Sequence, residues 1–145
     1  MRNLLIVATI LATCTVVLAG DLRLEDRNFR TLAYIREDGR VEDSSFLTIG
    51  YIRDDNRVED SSFRTLGYLT EGRIQDSSFS TLFILEDDGR LSDNRFRTVA
   101  RITEDGTVED DGFRVILYTD GSSHGMVEKI AAYLVFFSET IPRQD

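Results

Sequence analysis

Cysteine is almost missing from this chain. Cys14 is the only one, and histidine and lysine are equally scarce, with His124 and Lys129 each standing alone. Cys14 lies in an apolar leader, so the chain that follows has no thiol to cross-link, and a disulfide framework is excluded. One histidine and no mature cysteine leave nothing for a zinc cluster. A serine nucleophile elbow of the form Gly-x-Ser-x-Gly, a phosphate-cradling glycine loop and the Asp-x-Asp-x-Asp-Gly spacing of a calcium loop are also missing. Basic residues are outnumbered: 17 Lys and Arg face 26 Asp and Glu, for a formal net charge of −9. Nucleic acid and anionic lipid both recruit basic patches, so neither is expected as a partner. Nearly all the positive charge is arginine, whose fork favours fixed pairing with carboxylates, and ladders between neighbouring strands are expected from it.

Long apolar runs are absent after the first segment. Arg2 is followed by an apolar stretch from Leu4 to Ala19 that exits through Val17-Leu18-Ala19. A basic start, an apolar middle and a small-residue exit form the pattern of a secretory signal peptide. The stretch is short for a hydrocarbon core about 30 Å thick. Leu11-Ala12-Thr13-Cys14 has the outline of a lipoprotein box, but Thr13 is large for its position and apolar residues continue past the cysteine. The expectation is an exported, secreted or periplasmic protein with residues 1–19 removed, and no membrane insertion after cleavage. Loss of Arg2 takes the charge from −9 to −10.

Repetition dominates what remains. A phenylalanine recurs at Phe29, Phe46, Phe63, Phe79, Phe96 and Phe113, at spacings of 17, 17, 16, 17 and 17. An aspartate stands three residues before each one: Asp26, Asp43, Asp60, Asp76, Asp93 and Asp110. The stretch Phe-x-Thr-Leu-Gly-Tyr-Ile is rich in β-branched and aromatic residues and too short for a packed helix. Between phrases come Asp38-Gly39, Asp55-Asn56, Glu71-Gly72, Asp88-Gly89 and Asp105-Gly106, and Asp-Gly between alternating runs signals a tight hairpin turn. The one-residue deletion falls in the Glu71-Gly72 turn. Residues 20–121 therefore predict an all-β domain of about five antiparallel hairpins from six repeats. The first and last phrases supply free ends that can pair, closing a ring and removing exposed edges. A β-solenoid of stacked coils is the alternative.

The motif Asp-Gly-Arg-Val-Glu-Asp-Ser-Ser-Phe-x-Thr-Leu-Gly-Tyr-Ile resembles bacterial repeat proteins described as five-fold beta-flowers, over roughly residues 22–119. The resemblance implies a pseudo-five-fold arrangement of antiparallel hairpins about an axis. It implies no activity and brings no catalytic or binding residue with it. Arg101, where other phrases carry an aromatic or aliphatic residue, and Val115-Ile116 depart from the motif. Residues 122–145 read as a loop followed by a capping segment. Val127, Ile130, Ala131 and Leu134 have helical spacing, while Ala132 to Phe137 has strand composition, so helix and strand both stay open.

Candidate functional residues follow from the repeat. The six aspartates suit Asx turns at the corners between strands; a belt of them holding a hard cation is the competing use. The phenylalanine column is expected to be the core. The threonine column Thr31, Thr48, Thr65, Thr81 and Thr98 alternates with Gly or Ala and is expected to look inward. His124 lies near Ser122, Ser123 and Asp120, but neighbours in one loop rarely converge into a triad. Repeated acid pairs such as Glu59-Asp60 share one environment, whereas catalytic carboxylates need environments that separate their pKa values. On the other strand face, Arg30, Tyr34, Tyr51, Arg64, Tyr68 and Tyr118 have the composition of adaptable recognition surfaces. The expectation is a non-enzymatic binding or structural module, needing no cofactor and meeting a protein or glycan. A metal-binding protein or hydrolase built on the aspartates or the His124 loop is the alternative.

Overall fold

A computed structural model describes residues 20–120 and 125–142. The expected leader, residues 1–19, and the His124 loop lie outside the described residues. Twelve strands follow in order: β1 (Leu22–Glu25), β2 (Thr31–Ile35), β3 (Arg40–Asp43), β4 (Thr48–Ile52), β5 (Arg57–Asp60) and β6 (Thr65–Thr70). Then come β7 (Arg73–Asp76), β8 (Thr81–Leu85), β9 (Arg90–Asp93), β10 (Thr98–Ile102), β11 (Thr107–Glu109), β12 (Val115–Asp120) and one helix, α1 (Val127–Phe136). Each strand pairs antiparallel with its neighbour in sequence, and β1 pairs with β12, so the sheet closes into a barrel without edges. The ring is the expected one, and the solenoid does not form. Five intervals are closed by the Asp-Gly set of turns and the sixth by the β1–β12 seam.

The turns at the two rims share one backbone design. At the first rim Gly39 N–H donates to the Arg36 carbonyl and Arg36 N–H to the Arg40 carbonyl, with Gly39 at φ 87°. This is a three-residue loop, a type I turn closed by one left-handed residue, rather than a two-residue turn with both central residues at positive φ. Only Glu71-Gly72, where the repeat is one residue short, makes the two-residue form, with both residues at positive φ. At the other rim Phe29 N–H donates to the Asp26 carbonyl and Asp26 N–H to the Arg30 carbonyl. The same loop therefore recurs, with phenylalanine in the glycine's place.

A β-bulge follows in every phrase. Val41 faces Gly50 while Glu42 faces Thr48, leaving Ile49 as the extra residue. The equivalent shift in the other five phrases leaves Leu32, Leu66, Leu82, Val99 and Ile116 extra. Bulges sharpen local twist, which suits a small closed ring. Beyond the bulge, inward positions carry the core: Leu24, Ile35, Val41, Val58, Ile74, Leu91, Val108 and Leu117 are buried.

The helix lies inside this ring. Ile130, Ala131, Ala132, Tyr133 and Leu134 are all buried, and five consecutive helical residues sweep about 400° around the axis. Every side of the helix is therefore covered by strands, and the capping segment is a plug. The inward tier facing it is graded in size. Gly50 and Gly67 stand where a Cβ would fall 2.3 Å from the Phe137 ring and 2.5 Å from the Phe136 ring. Phe83 and Leu117 fill other places on that tier. Among the described residues no helix is long and apolar enough to cross a membrane.

Candidate functional site: an aromatic girdle on the outer wall

Antiparallel connection puts all six Asp-x-x-Phe corners at one rim. Their phenylalanines are not core, contrary to expectation: all six are 61–78% exposed, at φ between 59° and 65°. The left-handed residue closing the corner projects away from the lumen, and the bulge that follows resets the in-out alternation. A period-two count carried through the corner therefore puts the phenylalanines on the wrong side. The inward column is instead the Gly/Ala position, with the threonines half-buried beside it.

Each corner is held by its aspartate. Ser62 N–H and Arg64 N–H donate to Asp60 Oδ1 at 2.8 and 3.0 Å, and Arg64 Nε donates to Oδ2 at 2.8 Å. The Oδ1 pair recurs at Asp26, Asp43, Asp76, Asp93 and Asp110. The arginine clasp recurs as Arg30 on Asp26, Arg97 on Asp93 and Arg114 on Asp110. The backbone N–H groups of Arg30, Arg64 and Arg114, with the lesser help of their side chains, hold Asp26, Asp60 and Asp110 below the usual carboxylate range. The carboxylates are thus committed to turns and guanidinium groups. Among the described residues no group of three or more His, Cys, Asp or Glu is gathered for a metal.

Five of the six exposed phenylalanines lean on the preceding phrase. Phe46 stacks on Tyr34 and Phe63 on Tyr51, both at 5.1 Å, and Phe79 stacks on Tyr68 at 4.4 Å. Phe29 stacks on Tyr118 at 4.7 Å, carrying the series across the β1–β12 seam. Arg101, the departure noted in the sequence, sits 5.3 Å over Phe113 and substitutes a cation–π contact for a stack. At the sixth station Ile84 takes the tyrosine's place in the repeat, and Phe96 is the most exposed of the set.

Two stations carry a further layer. The Arg36 guanidinium lies 4.8 Å over the Tyr34 ring and is gripped by Glu42, with Nε donating at 2.8 Å and Nη2 at 2.7 Å. Arg53 repeats this over Tyr51 at 4.2 Å, with Glu59 at 2.8 Å. Glu42 and Glu59 are buried beneath these guanidinium groups, whereas their neighbours Asp43 and Asp60 hold the corners. Most of the arginine pairs lie within one hairpin rather than between hairpins; Arg23–Asp120 at the seam is an exception. Of the residues the sequence singled out for binding, Tyr34, Tyr51, Tyr68 and Tyr118 belong to the girdle as half-covered stacking partners. Arg30 and Arg64 are the corner clasps, largely exposed beside it. What sequence reasoning missed is the phenylalanine, and the matching twelve-residue step from each tyrosine to the next phenylalanine (eleven at Tyr68) was the available signal.

A closed antiparallel ring of repeated hairpins with a C-terminal plug defines the class. Residues 21–138 match the family described as 5-fold beta-flower protein, and the chain belongs to that family. No curated protein and no solved structure matches it.

Proposed function

We propose that the chain is an exported, non-enzymatic recognition module that meets a protein or glycan through the aromatic girdle. One observation carries this reading. Both rims use the same three-residue loop, and the position needing positive φ holds Gly39, Asn56, Gly89 or Gly106 at one rim but phenylalanine six times at the other. A left-handed backbone costs a bulky residue about 1–2 kcal/mol, a cost that the stack on tyrosine at best offsets and that glycine would avoid altogether. Residues held in strained conformations and presented to solvent are a mark of functional surfaces. Stacking on tyrosine fixes Phe29, Phe46, Phe63 and Phe79 with one face against the wall, so binding at these stations loses little side-chain entropy. Several equivalent stations on one rim provide avidity from weak single contacts.

The test replaces Phe46, Phe63 and Phe79 by glycine, singly and together, in the mature protein. The triple variant is expected to melt near the parent temperature and to lose binding to immobilised glycans and envelope proteins far beyond any single change. A triple variant that binds as the parent does, or one that fails to fold, contradicts the proposal.

A further inference from the structure

The fifth and sixth corners both depart from the regular phrase, and they are neighbours on the ring. The corners of the second, third and fourth phrases read Asp-Ser-Ser-Phe; the fifth reads Asp93-Asn94-Arg95-Phe96 and the sixth Asp110-Asp111-Gly112-Phe113. The two altered corners form the lips of a cleft of about 610 Å³, floored by Val99, Ile116 and Pro142. Ligand pockets commonly run from about 300 to 1,000 Å³. The departures from serine introduce charge of opposite sign on opposite lips.

That charge is uncommitted. Asp93, almost wholly buried, spends its oxygens on the N–H groups of Arg95 and Arg97 and on the Arg97 guanidinium at 2.7 Å. Arg97 gives Nε and Nη2 to that one carboxylate and keeps the rest of its fork free, with its side chain 70% exposed. The Arg95 guanidinium has no partner among the described residues, and neither has the Asp111 carboxylate, whereas Asp110 is held by Arg114. One lip therefore offers guanidinium donors for a carboxylate, and the facing lip offers a carboxylate for a cation. A dianion such as phosphate would meet Asp110 and Asp111 unfavourably. A ligand with an anionic end, a cationic end and an apolar middle meets all three surfaces.

We infer that this cleft is a binding site for a zwitterionic short peptide. Its C-terminal carboxylate lies against Arg95 and Arg97, its N-terminal ammonium against Asp111, and its side chains over Val99 and Ile116. The site is separate from the Phe46, Phe63 and Phe79 stations, so either proposal can fail without the other.

The probe is the tripeptide alanyl-leucyl-alanine, titrated into mature protein by NMR, with its C-amidated and N-acetylated forms alongside. Arg95→Ser and Asp111→Ser restore the residue of the regular phrases, so both variants are expected to fold. The expected result is a Kd of about 1 mM or tighter, with shifts confined to the fifth and sixth phrases. Arg95→Ser and amidation each weaken binding about tenfold and do not add; Asp111→Ser and acetylation behave as the second such pair. Absence of binding, equal binding of the capped peptides, or variants that bind as the parent does would overturn the site.

Discussion

A phenylalanine at positive φ gives up about 1–2 kcal/mol of backbone energy, and its stack on a tyrosine returns about 0.5–1.5 kcal/mol. The two nearly cancel at Phe63, which stands at φ 64° on Tyr51. Phe63→Gly is therefore expected to change stability by no more than about 1 kcal/mol. Ile74→Ala, at a fully buried site, is expected to cost about 2–5 kcal/mol. Urea unfolding of the two variants checks the contrast, and a large loss at Phe63 would return that ring to the core. The aspartates are the other residue-scale feature, and the sequence marked them well, because Asp followed by small polar residues has few other uses at a corner. The pH signature follows from the depressed pKa values of Asp26, Asp60, Asp93 and Asp110. A carboxylate whose folded pKa lies below the unfolded value of about 3.9 contributes stability that is present above that value and lost as pH falls through the folded one. Melting temperature is expected to hold from neutral pH to about pH 4 and then fall steeply. Asp60→Asn should lower the plateau and flatten part of the fall. An acid-insensitive parent protein would contradict the corner assignment.

At the scale of elements, strands and turns were legible and the helix was not. Strand and turn chemistry is local: β-branched residues, Asp-Gly and a one-residue deletion all speak within a few positions. The phenylalanine's side of the sheet was hidden because one left-handed residue and one bulge intervene, and each shifts the parity of an alternating pattern. Residues Val127 to Phe137 gave no clear period because α1 is enclosed on all sides, and a helix buried all round needs no polar face. The plug makes demands on the wall that holds it. A Cβ at Gly67 would stand 2.0 Å from the Gln75 carbonyl oxygen and 2.5 Å from the Phe136 ring. Since the carbonyl is backbone and cannot yield, Gly67→Ala is expected to cost about 1–3 kcal/mol. Leu134→Ala should cost about 2–5 kcal/mol by leaving a cavity on the axis. Denaturant melts of both variants check this, and Leu134→Ala decides whether the helix sits in the lumen, since a helix resting on the outside would tolerate it.

For the whole molecule, closure is what the repeat achieves. Twelve short strands would make a weak open sheet with two exposed edges, and pairing β1 with β12 removes both. The seam was foreseeable from the half-hairpins at either end of the repeat, and it places Arg23 opposite Asp120. Arg23→Cys with Asp120→Cys is expected to oxidise in the native state, and closing a loop of nearly one hundred residues should stabilise by up to about 4.7 kcal/mol. Non-reducing electrophoresis and a melt read this directly, and cysteines that stay reduced would mean an open array. Closure also creates two unlike rims: one carries acidic Asp-Gly turns, the other the aromatic corners. The account depends above all on those corners facing solvent. Fluorine NMR of the chain from Gly20 onward, labelled with fluorophenylalanine and titrated with a soluble paramagnetic agent, tests this in one spectrum. Nine resonances are expected. Those of Phe29, Phe46, Phe63, Phe79, Phe96 and Phe113 should broaden first and together, while that of Phe83 stays sharp. Six protected resonances would place the phenylalanines in the core and contradict the account.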